Sequence, residues 1–253
     1  MRQLLRALCV SVVVSLLGQA AIAEDQAARL NGLTVYNKGV GGQNSRQGKA
    51  RFERDVLSLK PDYVFIYYGL NDALNEPQFV ALDQFIENLG WMVDRARAAG
   101  IKPVLCTIHR VDEEPLLKRH KRESYGEEGP NGKLDRYNKA LRALADQKKV
   151  PLADFAAAVA EHDAKSPPPD PSTRAVSRDG VHLTPTGNRL LAQCFLDAIP
   201  SRLRGRELIV CLGDSVTWGA GAKGAGTAED GTYPAMLREL PLGERGRRAA
   251  RQR

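Results

Sequence analysis

The sequence predicts a three-layer α/β sandwich, a parallel sheet covered by helices on both faces. Two observations carry that prediction. Five apolar runs recur along the chain, several of them continuous rather than alternating, as strands covered on both faces must be. The segments between them space their apolar residues at helical intervals, and strands that alternate with helices wind into a parallel sheet. The chain has 253 residues and no internal repeat, which is enough for one domain with a sizeable core.

The elements follow in order. Residues 33–40 (LTVYNKGV) are β-rich and run into GGQNS. Residues 62–69 (DYVFIYYG) form an unbroken apolar run of β-branched and aromatic side chains. Residues 102–108 (KPVLCTI) and 150–155 (VPLADF) are shorter versions, and 207–213 (ELIVCLG) is the fifth. Helical spacing puts Phe85, Leu89, Met92, Val93 and Ala96 on one face of a segment that closes at Gly100. Leu134, Tyr137, Leu141 and Leu144 mark a second helix. Thr184 before Pro185 reads as an N-cap and first-turn pair, and Thr232 opens the segment TYPAMLREL in the same way. In such a fold ligands sit beyond the carboxyl ends of the strands.

The two chain ends read differently. Arg2 and Arg6 lead an apolar stretch over 8–17, followed by the small-residue pattern Ala21-Ile22-Ala23. These are the marks of a secretory signal peptide over 1–23, which makes the protein secreted or periplasmic. The apolar stretch is shorter than the ~20 residues of a spanning helix, so no stable membrane insertion is expected after cleavage. One domain then occupies 24–243, and 244–253 is a basic tail expected to be disordered. The formal charge of +7 sits largely in that tail, and the body is near neutral. With no zinc spacing and no aromatic-basic stripe, a nucleic-acid partner is not expected. Cys106, Cys194 and Cys211 follow the leader at apolar positions, an odd number that reads as buried free thiols rather than a disulfide framework.

Each strand end of interest carries polar punctuation. After the fifth comes Gly213-Asp214-Ser215, after the first the glycines 39, 41 and 42, and after the second Gly69-Leu70-Asn71-Asp72. Asp179-Gly180-Val181-His182 precedes the last long helix. Acyl transfer needs a hydroxyl, a base to take its proton, a carboxylate to orient the base, and donors for an oxyanion. Ser215, His182 and Asp179 are candidates for the first three roles. The Ser215 N–H, the Gly42 N–H and the Asn71 amide are candidates for the donors, with Gly41 as the alternative to Gly42. The nucleophile elbow of α/β-hydrolases is absent, because Thr217 stands where its second glycine belongs.

These four blocks, GDSVTWG, NKGVGGQNS, GLND and DGVH, resemble those of the SGNH, or GDSL-type, hydrolase family. The resemblance spans nearly the whole chain after the leader. It implies a flavodoxin-like α/β/α sandwich with a five-stranded parallel sheet, the site roles given above and no cofactor. The order of the blocks departs from the family. There GDS comes first; here it comes last. The chain therefore reads as a circular permutant, and 207–213 should lie between the first two strands, in the family's sheet order 2-1-3-4-5. The expected function is a serine esterase acting on short acyl esters, with acetyl groups on carbohydrate as the leading substrate. A lipase or thioesterase of the same family is the alternative, as is a non-catalytic carbohydrate-binding module on the same fold. No metal spacing appears. Asp72 and Asp214 read as structural, ordering loops through backbone hydrogen bonds. His109, His120 and His162 read as surface or loop residues. The charged segment 110–133 reads as a solvated loop, with a lid or substrate-binding wall as the sharper alternative.

Overall fold

The computed structural model describes residues 32–165, 174–177, 179–201 and 203–242. The leader over 1–23, the tail over 244–253 and the Pro-rich patch 166–172 lie outside the described residues.

Five strands make one parallel sheet: β1 (Thr34–Gly39), β2 (Tyr63–Tyr67), β3 (Lys102–Cys106), β4 (Leu152–Ala153) and β5 (Leu208–Gly213). Their order across the sheet is β1-β5-β2-β3-β4. The last strand in sequence thus lies between the first two, paired in parallel with both. Burial follows position. Every residue of β2 is buried, whereas β1 at the edge exposes Thr34 and Tyr36 and buries Val35. That contrast is what continuous and alternating apolar patterns mean physically. Gly213 of β5 registers with Gly39 on one side and Tyr67 on the other. Three loops therefore leave the sheet abreast, at its carboxyl end.

Helices cover both faces. On one lie α1 (Ser45–Ala50), α3 (Leu82–Ala98) and α5 (Gly129–Lys148); on the other lie α6 (Phe155–Lys165), α7 (Pro185–Ala198) and α9 (Tyr233–Glu239). Short helices α2 (Leu70–Leu74), α4 (Glu113–Leu117) and α8 (Ser215–Trp218) sit around the carboxyl end of the sheet. The apolar stripes predicted for α3 and α5 are buried throughout. Thr184 and Thr232 cap α7 and α9, accepting from the Gly187 and Ala235 N–H groups, each worth ~1 kcal/mol. Phe65 of β2 stacks on Phe195 of α7 at 4.6 Å between ring centroids, tying sheet to helix at the centre of the core. Cys106 and Cys211 are buried free thiols and Cys194 is half-buried. The segment 110–133 is less of a loop than its charge suggests: α4 lies within it, and α5 begins at Gly129, ahead of its apolar stripe.

Candidate active site

Ser215 opens α8 directly after β5. The approach requires glycine at position 213, because a Cβ there would lie 2.0 Å from Thr217 Oγ1 and 2.6 Å from the Tyr67 carbonyl oxygen. Asp214 caps the turn by accepting from the Val216 N–H at 2.9 Å. The Ser215 hydroxyl donates to His182 Nε2 at 3.0 Å. The other ring nitrogen, Nδ1, donates to Asp179 Oδ2. Asp179 Oδ1 accepts from the Ser177 hydroxyl at 2.7 Å and from the Val181 and His182 N–H groups, both at 2.9 Å. Burial alone raises the Asp179 carboxyl, but the hydrogen bonds from the His182 ring, the two N–H groups and Ser177 hold it well below the usual carboxylate range.

The two glycine and asparagine candidates face the same space. A cavity of about 350 Å³ is lined by Ser215, His182, Gly42 and Asn71, with Leu70, Leu74 and Leu116 among its apolar walls. Gly41 is not among its lining residues. Asn71 is the second residue of α2, and its amide orientation is set from both ends. Nδ2 donates one hydrogen to the Gln43 carbonyl at 2.9 Å, while Oδ1 accepts from Asn75 at 3.0 Å. The second Nδ2 hydrogen remains for a ligand.

The sequence model of the GDSL-like lipase/acylhydrolase family matches residues 16–190. The chain belongs to that family. Membership makes this acylhydrolase a carboxylic ester hydrolase of the SGNH type. It is 29% identical over 178 residues to an acetylxylan esterase of Geobacillus stearothermophilus, covering 66% of this chain and 73% of that protein. It is also 29% identical over 185 residues to the uncharacterized lipoprotein YqeF of Bacillus subtilis (strain 168), covering 68% and 76%. Among solved structures, a catalytic mutant of Axe2, an acetylxylan esterase from Geobacillus stearothermophilus, superposes with a TM-score of 0.51 at 26% identity, over 64% of this chain and 70% of that one.

Beneath the candidate site of the acylhydrolase lie groups that sequence reading treated lightly or missed. Asp72 accepts from the Ser45 N–H at 3.0 and 3.2 Å, and burial raises it to about 6. Burial raises Asp214 to about 7, and its Oδ2 has no hydrogen-bond partner. The expectation that both aspartates order loops through backbone groups holds. His109 is no surface residue: it is fully buried, between the Tyr67 hydroxyl at 2.6 Å and the Val181 carbonyl at 2.8 Å. A carbonyl only accepts, so Nε2 carries the hydrogen and the Tyr67 hydroxyl donates to Nδ1. Burial lowers this imidazole to about 4, keeping it neutral in mild conditions. The apolar run that ends just before His109 is the signal that could have predicted its burial. His120 lines the cavity and meets Glu76 at 2.5 Å, while His162 lies on α6.

Arg51 was missed altogether. Its buried guanidinium donates to the Gly213 carbonyl at 2.9 Å, to Asp55 at 2.6 Å and to Gln43 at 2.7 Å. It thereby links the strand end before Ser215 to the loop after β1. Nothing in the sequence separates it from neighbouring Arg46 and Arg54, which stay exposed.

Proposed function

We propose that this acylhydrolase is an exported serine esterase that cleaves short acyl esters, acetyl groups on carbohydrate foremost, through Ser215, His182 and Asp179. The observation that carries the reading is the relay of hydrogen bonds from Ser215 Oγ to His182 Nε2 at 3.0 Å and from His182 Nδ1 to Asp179. In this reading His182 takes the hydroxyl proton as Ser215 Oγ attacks the acyl carbon. Negative charge develops on the former carbonyl oxygen, facing the N–H groups of Ser215 and Gly42 and the free hydrogen of Asn71 Nδ2. His182 then protonates the departing alcohol, and water releases the acyl group by the same steps in reverse roles. Asp179, held ionised, keeps the hydrogen of the neutral ring on Nδ1 and stabilises the imidazolium that forms. No cofactor has a step in this sequence.

Two observations support the short acyl group. The cavity of about 350 Å³ is small for a ligand site, and leucines 70, 74 and 116 close its apolar side. The likeness to an acetylxylan esterase points the same way. Export is supported by the leader-like start of the sequence and by the likeness to a lipoprotein. A circular permutation accounts for the block order. The family match ends at residue 190, ahead of β5, while β5 sits between β1 and β2. A chain can be rejoined in this way when its old ends were close and its new ends are at the surface.

The test is Ser215→Ala, with acetyl to octanoyl esters as substrates. The expected kcat loss is about 10⁴-fold or more with the fold intact, and rates should be highest for acetyl. An organophosphonate should label Ser215 alone. Labelling elsewhere, or activity retained in the alanine variant, removes the assignment.

A further inference from the structure

The turn that carries Asp179 and His182 is held from one side by a single segment. Three successive carbonyls of that turn are each taken by it. Arg119 Nη2 donates to the Asp179 oxygen at 2.7 Å, the Asp112 N–H to the Gly180 oxygen at 2.9 Å, and His109 Nε2 to the Val181 oxygen at 2.8 Å. Contact is so close that a Cβ on Gly180 would lie 2.5 Å from the Asp112 carbonyl oxygen, and φ there is +84°. The segment is itself pinned. Asn138 of α5 bonds both the N–H and the carbonyl of Ile108 at 2.7 Å. Asn131, two turns earlier on the same face, does the same for Val111 at 2.9 and 3.0 Å. Among the three donors only His109 is a fully buried side chain, and it reaches the peptide joined directly to His182.

We propose that His109 is a positioning residue for the base: by donating from Nε2 to Val181, it fixes the peptide that aims His182 at Ser215. This rests on the reading of His182 as the base. Tyr67 completes the device. Its hydroxyl needs an acceptor at Nδ1, which leaves the ring hydrogen at Nε2, where the Val181 carbonyl needs it. The ring also packs edge-on against Phe155 at 5.5 Å, so its plane is set as well as its tautomer.

The test compares two amides in the full chain. In His109→Asn the amide takes the place of Nδ1, still serves Tyr67 and stops short of Val181. In His109→Gln the amide takes the place of Nε2 and reaches Val181. The expected kcat loss for Asn is on the order of 10- to 100-fold with KM little changed, since a misplacement near 1 Å costs that much. Gln should recover most of the loss. A second readout needs no turnover: the far-downfield proton of the His182–Asp179 hydrogen bond should persist in wild type and His109→Gln and broaden away in His109→Asn. Equal losses in Asn and Gln, or an unshifted proton in Asn, overturns the proposal. If wild type itself hydrolyses no ester, the esterase reading fails, and the proton signal still decides whether His109 holds His182.

Discussion

Two regions around Ser215 treat the same side chain in opposite ways. In the turn beside the cavity, Asp179 accepts four hydrogen bonds, from Ser177, Val181 and His182, and is held ionised. Under the sheet end, Asp72 and Asp214 are fully buried, and burial outweighs the hydrogen bonds they accept, pushing them up to about 6 and about 7. Asp214 has one oxygen with no partner at all. The difference teaches that the depth of burial, set against the hydrogen bonds accepted, decides what a carboxylate can do. Asp179 keeps its charge beside the His182 ring, where the proposed mechanism needs it. Asp72 and Asp214 sit where a fixed negative charge would face apolar core, and they serve the backbone instead.

The comparison breaks most sharply at Asp179. Asp179→Asn keeps the shape but removes the charge and frees the tautomer of His182. It is expected to lower kcat by about 10³–10⁴-fold, with the fold retained. Single-turnover kinetics on an activated ester would measure it. A loss under tenfold would place Asp179 with the structural aspartates.

Asn71 sharpens the contrast from the donor side. Asn71→Ala is expected to cost about 10²–10³ in kcat with KM little changed, because the donor acts on developing charge. Its links to Gln43 and Asn75 also go, so thermal melting accompanies the kinetics. A change confined to KM would make Asn71 a substrate-binding residue.

The smallest effect is on stability. Asp214 has a raised folded pKa, so the folded state binds more protons than the unfolded one between about pH 4 and about 7. Stability from this group is therefore full below that window and lost as pH rises through it. Asp179 has the opposite sign: its contribution is present at neutral pH and lost in acid. Asp214→Asn should gain on wild type as pH rises from 5 to 8, by at most about 1.4 kcal/mol per pH unit. Urea unfolding at each pH reads this directly. A constant difference across the range would show that burial does not shift Asp214.

Much of the candidate site was legible in the residues themselves. Glycines at strand ends, polar residues just beyond them and a threonine before proline are local signals, and each lies within a few residues of what it controls. The strands at 62–69 and 207–213 could be read because continuous apolar runs demand cover on both faces. The helical stripe of α3 was likewise complete before any contact was known. Arg51 was not legible, and the apolar run before His109 could signal its burial but not its partner, for a common reason. Each is a polar side chain whose burial depends on partners far along the chain: Val181 for His109, and Gly213 for Arg51.

By itself, then, the sequence determined the alternation of strands and helices and the placing of Ser215, His182, Asp179, Gly42 and Asn71 at strand ends and turns, because periodicity and turn chemistry act over short distances. The family resemblance implied β5 between β1 and β2, and the tertiary structure has that order and brings Ser215 to a histidine 33 residues earlier at 3.0 Å; what only the tertiary structure decided is the burial of His109 and Arg51 against distant carbonyls. It also decided which carboxylates stay charged. Strand pairing and burial are settled by hydrogen bonds and apolar contacts between distant segments, and the order of blocks along a chain does not record them.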